Sequence, residues 1–128
     1  MTLKLCVAQR NFIVGDLDGN AQKIITAAQQ AYADGARLLL TPELSICGYA
    51  AEDLFLRPAF IHACDDAVKR VAHALAGLKD MTVVVGHPTG GDSRTRSVAV
   101  QQRFNAASVL CEGRVVATCT KHELPNYQ

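Results

Sequence analysis

Tryptophan is absent from these 128 residues, and aromatic side chains make up only 5% of them. A surface that stacks successive bases of a single strand needs such rings, so that mode of nucleic-acid binding is excluded. Charge of either sign is also unconcentrated. Thirteen Lys and Arg stand against twelve Asp and Glu, interspersed, for a formal net charge of +1. No basic footprint is left for duplex nucleic acid or an anionic membrane. No apolar run approaches the roughly 20 residues of a bilayer-spanning helix. The N-terminal Met1-Thr2-Leu3-Lys4-Leu5-Cys6-Val7 lacks the charged and long apolar regions of a signal peptide, so a cytoplasmic location is expected. The five cysteines, Cys6, Cys47, Cys64, Cys111 and Cys119, include no CxxC pair. An odd, scattered set predicts reduced and mostly buried thiols in place of a disulfide framework or metal site. Neither GxGxxG nor a P-loop ending occurs, so nothing points to a nucleotide or cofactor held by this chain.

What is present is the composition of one folded domain, 49% hydrophobic and 20% charged, long enough for a real core. Leu3 to Gln9 predicts a first, inner strand with apolar residues on both faces. Gly15-Asp16-Leu17-Asp18-Gly19-Asn20 resembles the start of a calcium loop. Counting from Asp16, however, Ala21 falls where the glycine belongs and Ala27 where the bidentate Glu belongs. The segment reads as a turn feeding a helix, with Asp or Asn as its cap. That helix runs to about Asp34, with Ala21, Ile24, Ile25, Ala28 and Tyr32 on one stripe and Gly35 as its stop. A strand-helix-strand unit with a parallel pair follows.

Pro58 opens a second helix after a loop carrying Glu52 and Asp53. Phe60, Cys64, Ala67, Val68, Val71, Leu75 and Leu78 make its buried stripe. His62 and His73 share one face but lie roughly 16 Å apart, too far for a common metal. Met81 to Val85 predicts a third inner strand, ended by the loop Gly86-His87-Pro88-Thr89-Gly90-Gly91. His87 alone at such a strand end carries no catalytic assignment. Asp92 to Gln102 reads as a surface connection. Arg103 to Cys111 and Arg114 to Lys121 then form a hairpin around Glu112-Gly113. Continued in register, that turn sets Cys111 opposite Arg114 and Cys119 opposite Ala106.

The candidate site is organised around Leu38-Leu39-Leu40-Thr41-Pro42-Glu43. Three leucines predict a strand buried on both faces, and Pro42 cannot continue its ladder. Glu43 is the first ionisable side chain beyond the strand's C-terminal end, the edge where open α/β sheets bind ligands. Lys121 ends a later strand in the same way, so one sheet edge can bring the two together. A carboxylate can take a proton from a thiol, and an ammonium can stabilise the oxyanion that forms when a thiolate attacks an amide.

Thr41-Pro42-Glu43-Leu44-Ser45-Ile46-Cys47-Gly48-Tyr49, Glu52-Asp53-Leu54 and Lys121-His122-Glu123-Leu124-Pro125-Asn126-Tyr127 together resemble the nitrilase, or carbon–nitrogen hydrolase, superfamily. The run Ala51 to Phe60, the Leu-Pro-Asn-Tyr ending, Val7-Ala8-Gln9, Gly15-Asp16 with Asn20, and Phe104-Asn105-Ala106-Ala107 resemble one branch of it. That branch comprises the glutamine amidotransferase domains of glutamine-dependent NAD+ synthetases. The resemblance covers the whole chain. It implies an αββα sandwich of mixed sheets covered by helices, of which residues 1–128 form the first half. It also implies a Glu-Lys-Cys triad with Glu43 as general base, Lys121 supporting the tetrahedral intermediate, and Tyr127 lining the glutamine pocket. Ammonia would pass to a separate synthetase domain, which amidates deamido-NAD+ with ATP and Mg2+.

The family's nucleophilic Cys falls on a later strand than Lys121, and Cys47 stands where the family carries an ordinary loop residue. The chain is therefore expected to be inactive alone. No metal or cofactor is expected in it, and copies are expected to associate through their helical faces. Two other readings remain open: part of a free-standing amidase, and a noncatalytic interaction module.

Overall fold

The computed structural model describes residues 3–48, 57–90 and 103–121. Their elements run β1 (Leu5–Val7), α1 (Leu17–Ala33), β2 (Leu38–Leu40), α2 (Pro58–Ala74), β3 (Thr82–Gly90), β4 (Arg103–Cys111) and β5 (Arg114–Lys121). The five strands form one sheet in the order β1-β2-β3-β4-β5. β1 to β3 pair in parallel, and β3 to β5 pair antiparallel, so the sheet is mixed as expected. Among the described residues no helix is long and apolar enough to cross a membrane.

Asp16 caps α1, its carboxylate accepting from the Gly19 amide at 3.0 Å. The buried stripe of α1 is Asn20, Ala21, Ile24, Ala27, Ala28 and Ala31. It is centred one position earlier than the apolar pattern predicts, because Asn20 lies inside it and Ile25 and Tyr32 lie at its margin. Pro58 occupies the first turn of α2, whose buried face is Ile61, Cys64, Ala67, Val68, Val71 and Ala72. Both helices share one core with Leu39, Val83, Val85 and Leu110. His62 and His73 are exposed, and His62 pairs weakly with Asp66 one turn on.

Three predicted features take a different form. Among the described residues β1 lies at the edge of the sheet and not inside it, and Leu5 and Val7 are 50% and 56% exposed. Leu38 and Leu40 are likewise half-buried while Leu39 is inaccessible, because the described helices share a core with only one face of the sheet. The predicted glycine-rich loop after Val85 is instead the second half of β3, paired with β4 as far as Gly90 opposite Arg103. Pro88 is tolerated there because β2 stops at Leu40, opposite Val84. The Val84 and Gly86 carbonyls point to the β2 side, so the missing Pro88 N–H faces a side that β2 has left.

The thiols also differ from expectation. All five cysteines are free, but only Cys47 and Cys64 are buried, while Cys6 and Cys111 are intermediate and Cys119 is exposed.

Candidate active site

The turn after β2 positions Glu43, and its backbone is tied at almost every residue. The Thr41 amide donates to the Val84 carbonyl at 3.1 Å, and the Ile46 amide to the Gly86 carbonyl at 3.1 Å. The Thr41 hydroxyl bridges the Val84 carbonyl and the Ser45 hydroxyl, both at 2.8 Å. Leu44 adopts the left-handed conformation with φ 54°, an uncommon state for a residue with a side chain. The surrounding bonds hold it there. This elbow sits directly on Gly86, where a Cβ would lie 2.5 Å from the Pro42 oxygen and 2.6 Å from the Leu44 nitrogen. Glycine is therefore required at position 86 for close approach of two backbones.

A second clasp comes from α1. The buried Asn20 side chain accepts from the Ile13 amide at 2.8 Å and donates to the Ile13 carbonyl at 2.7 Å and the Ile46 carbonyl at 3.1 Å. One side chain thus joins the loop before α1 to the elbow.

Glu43 is exposed, and its carboxylate accepts a hydrogen bond from the Asn105 side-chain amide. Asn105 lies on β4 directly opposite Lys121 on β5. The backbone therefore brings Glu43, Asn105 and Lys121 to one sheet edge, as the sequence pattern anticipated for the first and third. Tyr127, and the loop carrying Glu52 and Asp53, lie outside the described residues.

The hairpin register is not the one expected. Cys111 faces Arg114, as predicted, but a bulge at Val109/Leu110 shifts the remainder by one residue. Cys119 then stands opposite Ala107 and not Ala106. An extra residue on one strand moves every later side chain to the other face. The extra residue is Val116, which is 51% exposed.

Cys47 has no accessible surface and belongs to the core. Its sulfur lies 3.8 Å from the Leu44 carbonyl and 3.5 Å from that of Gly48. The adjoining Cys64 thiol is held far above its ordinary range by its side-chain hydrogen bond with Cys47 and by burial. Neither buried sulfur can meet a dissolved substrate in this arrangement.

A polar row runs beneath the same edge. His87 Nε2 lies 2.6 Å from the Ser108 oxygen, which lies 2.8 Å from the Thr118 oxygen. His87 Nδ1 is 3.1 Å from the Pro88 carbonyl, so it carries the proton and Nε2 accepts from Ser108. Burial pushes the His87 imidazole below its ordinary value, and burial also raises the Asp65 carboxyl 3.8 Å from Nδ1. Asp65, His87 and Ser108 have the residue types of an acyl-transfer triad. Ser108 is only 1% exposed, however, and Asp65 lies beyond hydrogen-bond distance. The row is built to hold strands together.

Sequence reasoning named Asn20 as a possible cap and a residue of the resemblance but not as the clasp on Ile13 and Ile46, and it passed over Ser108 and the structural part of His87. The signal for Ser108 was available, since it stands among Ala106 and Leu110 at an inward position of an alternating strand. Among the described residues no group of three or more His, Cys, Asp or Glu could hold a metal. An open depression lined by Gly15, Asp16, Leu17, Asp18, Ala63, Asp66 and Arg70 shares no residue with the Glu43 elbow.

With this geometry the chain matches the carbon-nitrogen hydrolase family over residues 4–124. It is 41% identical over 126 residues to a glutamine-dependent NAD(+) synthetase of Xylella fastidiosa, covering 98% of this chain and 21% of that protein. It is 43% identical over 129 residues to the corresponding protein of Xanthomonas campestris, again covering 98% and 21%. The crystal structure of a glutamine-dependent NAD(+) synthetase from Cytophaga hutchinsonii superposes with TM-score 0.81 at 26% identity, covering 98% of this chain and 20% of that one. The chain thus spans about a fifth of the length of the relatives it matches.

Proposed function

The chain belongs to the carbon–nitrogen hydrolase family, and on that footing we propose that it forms the first part of a glutaminase domain. That domain hydrolyses glutamine and supplies ammonia for amidation of deamido-NAD+ to NAD+. The observation that carries this reading is the alignment of Glu43, Asn105 and Lys121 at one sheet edge, joined by the Asn105–Glu43 hydrogen bond.

Glu43 acts as general base, taking the proton of a cysteine thiol contributed from beyond residue 128. The thiolate attacks the amide carbon of glutamine, and the Lys121 ammonium stabilises the oxyanion of the tetrahedral intermediate. Collapse expels ammonia, which receives the proton held by Glu43. Water, deprotonated by the same carboxylate, then hydrolyses the thioester to glutamate. Asn105 fixes the orientation of the carboxylate throughout. Tyr127 lines the glutamine pocket. ATP and Mg2+ serve the amidation in a separate synthetase domain, in a cytoplasmic enzyme whose copies associate through their helical faces. The 128 residues by themselves are inactive in this reading, since Cys47 is sealed in the core.

The experiment is Lys121→Ala and Glu43→Gln in the complete enzyme, assayed with glutamine and with free ammonia. Both variants should lose ammonia release from glutamine while retaining synthesis from ammonium salts. Equal loss of both activities would defeat the assigned roles.

A further inference from the structure

The Glu112-Gly113 turn starts the β4–β5 ladder in one register, with Leu110 opposite Val115. Uninterrupted, that register would set Lys121 opposite Phe104 and place Thr118 on the face away from Ser108. Apolar alternation favours it, because Val115, Ala117 and Cys119 would then share the inward row of Ala106, Ser108 and Leu110. The observed register is the other one. It leaves Val116 unpaired, places Thr118 and Thr120 opposite Ser108 and Ala106, and sets Lys121 opposite Asn105.

What the shifted register gains is polar. Ser108 is buried, and its hydroxyl already serves His87 Nε2 at 2.6 Å. The shift brings the Thr118 hydroxyl to its remaining side at 2.8 Å. In the unshifted register Ala117 would stand there, and the Ser108 oxygen would lose this hydrogen bond. His87 is itself held, with Nδ1 on the Pro88 carbonyl and its backbone one residue from the Gly86 contact beneath the elbow. The chain Thr118–Ser108–His87 therefore crosses β5, β4 and β3 three residues from both Lys121 and Asn105.

We propose that the Thr118–Ser108–His87 hydrogen-bonded row is a register lock. It selects the bulged pairing of β4 with β5 and so positions Lys121 across from Asn105 and the Glu43 elbow. This inference rests on the glutaminase reading for its consequence, but not for the lock itself. Thr118, Ser108 and His87 are positioning residues. They act on the reaction only by setting the row in which Lys121 stands.

The test uses the complete enzyme and has two readouts. The first is the cross-strand cross-link. With Ala107→Cys, mild oxidation should join position 107 to the native Cys119, mapped by peptide mass. With Thr118→Val the yield at 107 should drop and a bond from Ala106→Cys to Cys119 should take its place. The second is kinetic. Thr118→Val should lower kcat for glutamine hydrolysis by about 10- to 100-fold with KM within about two-fold, the pattern expected when a transition-state group is displaced. Thr118→Ser, which restores the hydroxyl, should recover both the 107 cross-link and kcat. Synthesis from free ammonia should stay at the wild-type level and shows that the variants are folded.

An unchanged 107–119 cross-link in Thr118→Val overturns the lock, whatever the activity. A moved cross-link with unchanged kcat overturns the positioning of Lys121. Lys121→Ala separates this from the reading beneath it. If that variant still releases ammonia from glutamine, the role of Lys121 fails, while the cross-link pattern still decides the lock.

Discussion

β1, β2 and the first half of β3 take their places from burial, whereas β4, β5 and the second half of β3 are also tied by polar side chains. In the parallel half Leu39, Val83 and Val85 are inaccessible beneath the helices. Their register follows from topology and from the single face that is covered. In the antiparallel half Ser108, Thr118 and His87 join strand to strand, and a bulge interrupts the ladder. Apolar contact is non-directional and tolerates a slip that keeps the inward row apolar. A hydroxyl-to-imidazole bond does not. The half of the sheet that carries Lys121 is the one with the directional contacts.

The comparison predicts its largest effect in the buried half. Leu39→Ala should cost about 2–5 kcal/mol, because Leu39 has no accessible surface and belongs to the shared core. In the 128-residue chain by itself, Leu5→Ala on the exposed face of β1 should stay within about 0.5 kcal/mol. Unfolding midpoints in urea check both. Equal losses would mean that both faces of the parallel half are covered alike, and the contrast would collapse.

Gly86→Ala comes next and probes the junction of the halves. Its Cβ would press on Pro42 and Leu44 backbone atoms, so about 1–3 kcal/mol should be lost through overpacking. The elbow carrying Glu43 should shift with it. In the complete enzyme, the proposed glutaminase role makes ammonia release from glutamine fall more steeply than stability, as read by assaying at a temperature where the variant is fully folded. Activity in step with the folded fraction alone would remove the elbow's special role.

The smallest effect is a pH dependence confined to the polar row. Burial lowers the His87 imidazole in the folded chain, so the unfolded chain binds its proton first. His87 therefore contributes stability above about 6.5, the ordinary imidazole value, and that contribution drains away as pH falls towards the lowered one. Asp65 has the opposite sign, since its raised carboxyl binds a proton first in the folded chain and adds stability at the acid end. His87→Gln keeps a polar partner for Ser108 without titrating. The stability difference between His87→Gln and wild type should shift in favour of the variant between pH 7.5 and 5.5. A constant difference would place His87 outside the titrating groups.

Much of the fold was legible because helical stripes and strand ends are local patterns. The Asp16 cap, the Pro58 start, the leucine strand and the Glu112-Gly113 turn each declare themselves within a few residues, and all are present. Glu43 and Lys121 were legible as strand ends. The outward face of β1, the extension of β3 through Pro88, and the bulge were not. Each depends on what lies beside the strand and not on the strand's own residues. Pro88 reads as a terminator until β2 is known to stop at Leu40.

By itself the sequence determined the element order, the presence of α1 and α2, the hairpin turn and the family. These follow from side-chain periodicity, backbone restriction at proline and glycine, and residue motifs. Only the tertiary structure decided which face of the sheet the helices cover, that Asn105 stands between Glu43 and Lys121, and that β5 slips by one residue to put it there. Those outcomes depend on how separate elements pack and pair, as in the Asn105–Glu43 hydrogen bond across 62 positions, which no local pattern records.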